Sequence, residues 1–284
     1  MTIPSALTPL LAFVNSPSNS MVEYVVGGTT IDVQAREGAA QIIADDAMTI
    51  AMGASALLQD WRDRRDGGPA RTGSRLAALK TFVGLAFGVP GAPSHDNHVQ
   101  GHVAELLWNR IIQERTTCRD GRQLVQAHPV KPDPKEPGGD GLVVYEDRSG
   151  TLVFRLWEMK KFAPNKPGQA LSGTINRASH QLSERGHVYL AKLAAPTTTT
   201  HTGPLRQLYE LMVERWFDRD PCAGAGVSVG TCHCHTPTDA ATFHSLSSAF
   251  PDFKTAGQLE GIVVAVPDFP DFVKRVREIV WSGL

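Results

Sequence analysis

Pro137-Gly-Gly-Asp140-Gly-Leu-Val-Val-Tyr-Glu-Asp147-Arg-Ser-Gly150-Thr-Leu-Val-Phe-Arg-Leu-Trp-Glu158-Met-Lys160-Lys-Phe162 is the stretch whose reading decides the fold. An acidic residue opens one apolar run, and a second run closes on Glu-x-Lys. Asp147-Arg-Ser-Gly150 between them has tight-turn chemistry, so the stretch predicts a β-hairpin. Side chains at i and i+2 of a strand share a face, which puts Glu158 and Lys160 on the same side. The same face runs back through Leu156, Phe154 and Leu152. A solvated end of an amphipathic strand is the plainer reading of the pair, but a charged pair ending an apolar face points to a sheet end opening into a cleft. Two carboxylates and one ammonium there are the parts needed to hold a hard divalent cation and activate a water.

Outward from the hairpin, 98–115 is strongly periodic, with Val99, Val103, Leu106, Leu107, Ile111 and Ile112 as its apolar stripe, and predicts a helix. Four prolines make 129–137 a loop. After the hairpin, 168–186 predicts a helix stopped by Gly186 at a C-cap, and 187–193 a strand. A linker at 196–200 leads to a helix at 205–217 and a β-prone segment at 223–234. A buried strand at 261–266 and a terminal helix at 269–281 follow. Towards the N-terminus, 21–33 reads as a short hairpin, 35–65 as one or two helices and 75–87 as another. We therefore expect an α/β protein, with a mainly helical N-terminal region at 1–95 and the remainder, 96–284, as a second unit.

Composition is that of a globular chain: 284 residues, 42% hydrophobic and 20% charged. Its 28 basic and 29 acidic residues leave a net charge of −1, so no global polycation is present. Local charge differs, because Arg155 to Lys192 carries seven Lys/Arg against Glu158 and Glu184, a basic excess on and just after the Glu-x-Lys strand. The apolar run 6–14 is interrupted by Pro9, and no Lys or Arg precedes Arg36, so a secretory leader is not expected. No run has the length of a membrane span, and four cysteines do not suggest a disulfide framework. A cytoplasmic location is expected.

Helix, acidic strand, Glu-x-Lys strand, helix, strand is the order α-β-β-α-β. On these residues the segment from about His98 to Leu193 resembles the PD-(D/E)xK nuclease superfamily, the restriction-endonuclease-like fold: a mixed central sheet flanked by helices. The resemblance matches Asp140 to the signature acid, Glu158 and Lys160 to the Glu-x-Lys, and Glu105 to a glutamate that many members carry on the first core helix. Asp140 follows Gly139 where the signature has proline. What the resemblance implies is a Mg²⁺-dependent endonuclease (Mn²⁺ substituting) acting on DNA. Glu105, Asp140 and Glu158 would be metal ligands, and Lys160 would orient or stabilise charge at the reacting phosphate. Lys161, Lys166, Arg177 and Gln181 are the expected nucleic-acid contacts. The resemblance also implies a role in restriction or antiphage defence, beside a helicase or sensor subunit. No Gly-rich Lys-Ser/Thr phosphate loop is present, so any ATP-driven step belongs to another chain.

Two other readings stand beside it: a catalytically inactive nuclease-fold interaction module, and a zinc-stabilised binding protein. The second would use Cys222, Cys232, His233, Cys234 and His235, but Cys-x9-Cys-x-Cys matches no standard zinc knuckle. On a strand, Cys232 and Cys234 would face away from His233 and His235.

Overall fold

A computed structural model describes residues 4–16, 21–133, 141–164 and 168–284. The chain runs α1 (Thr8–Leu11), β1 (Val14–Asn15), β2 (Glu23–Gly27), α2 (Val33–Met52), α3 (Ala56–Arg65), α4 (Gly73–Ala86), β3 (Gly88–Val89), β4 (Ala92–Pro93) and α5 (Asp96–Glu114). It continues β5 (Gln123–Ala127), β6 (Gly141–Glu146), β7 (Leu152–Phe162), α6 (Leu171–Thr197), α7 (Gly203–Phe217), β8 (Ala225–Cys232), α8 (His244–Ala249), β9 (Leu259–Val266) and α9 (Phe269–Ser282). The protein is α/β, with a mixed seven-stranded sheet in the order β1-β2-β9-β8-β7-β6-β5. β2, β9, β8 and β7 are parallel, while β6 and β5 continue antiparallel from β7.

The hairpin forms as its residues dictate. Asp147 Oδ1 accepts the Ser149 and Thr151 amides at 2.8 and 2.9 Å, and Gly150 takes a φ of 81° that a side chain would resist. Glu146 then faces Leu152, and Gly141 faces Trp157.

Strand alternation divides the interior into two cores. Val153, Trp157 and Met159 of β7 pack with α2, α4, α5 and α9. Phe154, Leu156 and Phe162 pack on the opposite face with α6, α7 and α8. The N-terminal region is built into this same body: β2 lies in the sheet beside β9, and the Trp61 indole donates to Val280 O at 2.8 Å. Among the described residues no helix is long and apolar enough to cross a membrane.

Four sequence expectations change. The short hairpin is formed by β1 with β2, not within 21–33. β5 was not expected; it extends the order to α5-β5-β6-β7-α6-α7-β8. Residues 187–193 are not a strand, because α6 runs unbroken through Gly186 for 27 residues. Gly186 is a packing glycine: a Cβ there would lie 2.5 Å from the Trp216 ring and 3.2 Å from Leu156 Cδ2. The fourth change is at 232–235, where β8 ends at Cys232 and His233–His235 is a turn of 3₁₀ helix, so face alternation does not apply.

The edge strand is tied to α7 through a half-buried polar cluster. His128 Nε2 lies 2.7 Å from the Tyr209 hydroxyl, which donates to Gln126 Oε1 at 3.1 Å. Burial first, then the nearby His201, pushes the His128 imidazole down to about 4.

Two expectations follow for stability. Gly186→Ala gains about 1 kcal/mol of helix propensity but overpacks a fully buried tryptophan, a cost of about 1–3 kcal/mol. The variant should therefore unfold at lower urea than wild type; a higher midpoint would refute the packing account. Because the folded His128 titrates below its unfolded value, its contribution is complete above about pH 6.5 and is lost as the pH falls towards 4. His128→Gln should shrink the stability lost between pH 7 and pH 5 by about 1 kcal/mol in urea titrations.

Candidate functional site

Glu158 and Lys160 lie on the α6 face of β7, in line with Leu156 and Phe162. Glu158 is fully buried and its carboxylate receives a short charge-assisted hydrogen bond from Lys160 Nζ, whose side chain remains 31% exposed. This excludes the solvated-strand reading for Glu158. A buried carboxylate is tolerable because the ammonium compensates it. The exposed side of the ammonium points the pair toward solvent at the end of the strand.

Asp140 lies outside the described residues, as does Lys166. The described strand β6 begins at Gly141, whose partner Trp157 immediately precedes Glu158. A side chain on Gly141 would collide with the Trp108 ring, which holds α5 tight against this end of the hairpin.

Lys161 points to the other face. Its Nζ donates to Asn97 Oδ1 at 2.6 Å and Gln100 Oε1 at 2.9 Å, both in the first turns of α5. Burial lowers the Lys161 pKa, with Asp96 opposing the effect. The Asn97 and Gln100 contacts were missed by sequence reasoning, although their i, i+3 spacing at a helix start was visible. Lys161 thus closes one wall of a cleft of about 930 Å³ at the C-terminal end of β7. Gln169, Thr174 and Arg177 from the start of α6 form the opposite wall. Arg177 is exposed and donates to Thr174 Oγ1 at 2.8 Å. Glu158, Lys160 and Gln181 are not part of this lining; the Gln181 amide donates to the Tyr189 hydroxyl at 2.9 Å.

Glu105 does not join the pair. Its helix, α5, packs on the face that carries Trp157 and Met159, across the sheet from Glu158. Its Oε2 stands 3.8 Å from Nδ1 of the buried His102. Of the expected carboxylates, Glu105 and Glu158 are therefore on opposite faces of the sheet, with strand alternation as the reason, while Asp140 lies outside the described residues.

The cysteine–histidine constellation also disperses. Cys222 precedes β8 and Cys232 ends it, so the eight-residue strand separates them by more than about 20 Å. Cys232 Sγ accepts the Phe269 amide at 3.3 Å, and His235 packs edge-on against Phe162. Among the described residues no group of three His, Cys, Asp or Glu side chains is placed to hold a metal ion. Comparison with protein-family models, with curated proteins and with solved structures gives no match.

Removing one partner of a buried pair costs about 3 kcal/mol, so Lys160→Met should lower stability well beyond Glu158→Gln. Adding Glu158→Gln to Lys160→Met should recover part of the loss. A strictly additive double-mutant cycle in urea unfolding would show that the two side chains do not depend on each other.

Proposed function

We propose that the protein is a metal-dependent nuclease of the PD-(D/E)xK type, cutting DNA near the C-terminal end of β7, with Glu158 and Lys160 as the acid–amine pair and the neighbouring cleft, whose lining does not include that pair, as the path of the backbone. The observation that carries this reading is the position of the pair within the chain order. Glu158-Met159-Lys160 lies on the last strand of the antiparallel set β5-β6-β7, and the chain then passes through α6 and α7 to β8, parallel to β7. That order, with the acid and amine on one face near the strand's end, suits the restriction-endonuclease-like core. The donor set also suits Mg²⁺, which takes hard oxygen ligands and is commonly held by one or two carboxylates with water and substrate phosphate completing its shell. Glu158 and Asp140 are the residues that would hold it, and when bound it would supply an activated water and charge neutralisation at the phosphate. Lys160 would place a fixed positive charge beside the reacting group. Lys161 and Arg177, on opposite walls of the cleft, are suited to phosphate oxygens. A role in restriction or antiphage defence, with a helicase or sensor partner, is the context this reading suggests.

One observation favours the alternative, an inactive module that keeps the fold: Glu158 is fully buried and already paired with Lys160. The two readings separate in one assay. Purified protein incubated with supercoiled plasmid and with single-stranded DNA in Mg²⁺ or Mn²⁺ should cleave, and Glu158→Gln and Lys160→Ala should each lose at least about a hundredfold. Glu105→Gln should retain most of the activity, since its side chain is across the sheet. Equal activity of wild type and both β7 variants would remove the site; no cleavage by a folded wild type that also fails to bind Mn²⁺ would favour the module.

A further inference from the structure

The end of the sheet opposite the cleft holds a second charged constellation, independent of the nuclease reading. A cavity of about 40 Å³ lies where the starts of β2 and β9 meet the chain after α5. Its charged lining is Glu23, Arg115, Arg119, Arg122 and Glu260. Arg122 is 5% exposed and stacks its guanidinium 5.0 Å over the Tyr145 ring. Its Nε donates to Asp120 Oδ2 at 2.6 Å and its Nη2 to Glu260 Oε1 at 2.5 Å. Its Nη1 is buried and has no hydrogen-bond partner among the described residues.

Three guanidiniums line the cavity against two carboxyls. Arg122, the half-buried Arg115 and the exposed Arg119 stand with Glu23 and Glu260, and Asp120 and the buried Arg155 lie beside the cavity. Burial, then Asp120 and Glu260, raise the Glu23 pKa. A buried guanidinium N–H without an acceptor is costly, and a water would satisfy the hydrogen bond but not the charge. The volume admits a few water-sized probes at roughly 10–15 Å³ each, too little for an amino acid or a nucleotide.

We propose that this cavity binds a small monovalent anion, of halide or formate size, with Arg122 Nη1 as its donor and Arg115 as the flanking charge. The anion completes the arginine-rich end of the sheet and ties β9 to the turn before β5.

Thermal unfolding of the full chain at constant ionic strength tests this, in potassium bromide, potassium formate and potassium gluconate, the last too large to enter. Arg122 variants risk misfolding, so Arg115→Gln, at the cavity wall, serves as the comparison, and general salt effects are common to both proteins. Wild type should melt about 2–4 °C higher in bromide or formate than in gluconate, with a saturating dependence that Arg115→Gln lacks. Crystals grown in bromide should show an anomalous peak within hydrogen-bond reach of Nη1. The same salt dependence in both proteins, or a water at Nη1 with bromide only elsewhere, would overturn the proposal.

Discussion

Strict alternation along β7 is the constraint on which the rest of the structure depends. One uninterrupted strand of 11 residues sends Val153, Trp157, Met159 and Lys161 to one face, and Phe154, Leu156, Glu158, Lys160 and Phe162 to the other. A slip of one residue would exchange every one of these side chains. The register against β8 and the tight turn at Asp147–Gly150 prevent that slip. The consequence for the site is direct: Glu158 and Lys160 belong with α6, Lys161 belongs with α5, and Glu105 on α5 is separated from the acid–amine pair by the sheet itself.

Charges are buried at both ends of the sheet, and each is held by a different device. At the cleft end a fully buried carboxylate is compensated by an ammonium two residues on, the closest spacing that shares a face. At the opposite end Arg155, also fully buried, donates to the carbonyls of Gly257, Phe154 and Cys222 and stands 3.8 Å from Glu260. Burial, with Arg122 adding to it, lowers the Arg155 pKa to about 10, which leaves it charged at neutral pH. Desolvating such groups costs several kcal/mol each before compensation.

The hairpin and its charged pair were legible in the sequence because period two, turn chemistry and Glu-x-Lys spacing are all local signals. The helices of 35–65 and 98–115 were legible for the same reason. Four features were not. Gly186 carries the local signature of a helix end, yet a tertiary neighbour, Trp216, explains it. β5 is a five-residue edge strand, half-exposed and interrupted by a register shift between Leu124 and Gln126, too short to stand out from loop. The separation of Glu105 from Glu158 depends on which face of the sheet receives α5, and that is a property of packing rather than of spacing. The arginine cluster is opaque for a similar reason: its members come from β2, the chain after α5, β7 and β9 and meet only in the fold.

On the proposed function, Glu158, seated against Lys160 on β7, would ligate a hard divalent cation that works on a phosphodiester. Crystals soaked in Mn²⁺ with a short oligonucleotide, with diffraction recorded at the manganese absorption edge, test it most directly. An anomalous peak bonded to a Glu158 oxygen is expected, with a phosphate oxygen completing the shell and no peak in Glu158→Gln crystals. Manganese absent from Glu158 while the oligonucleotide occupies the cleft, with the Glu158–Lys160 pair intact, would contradict it.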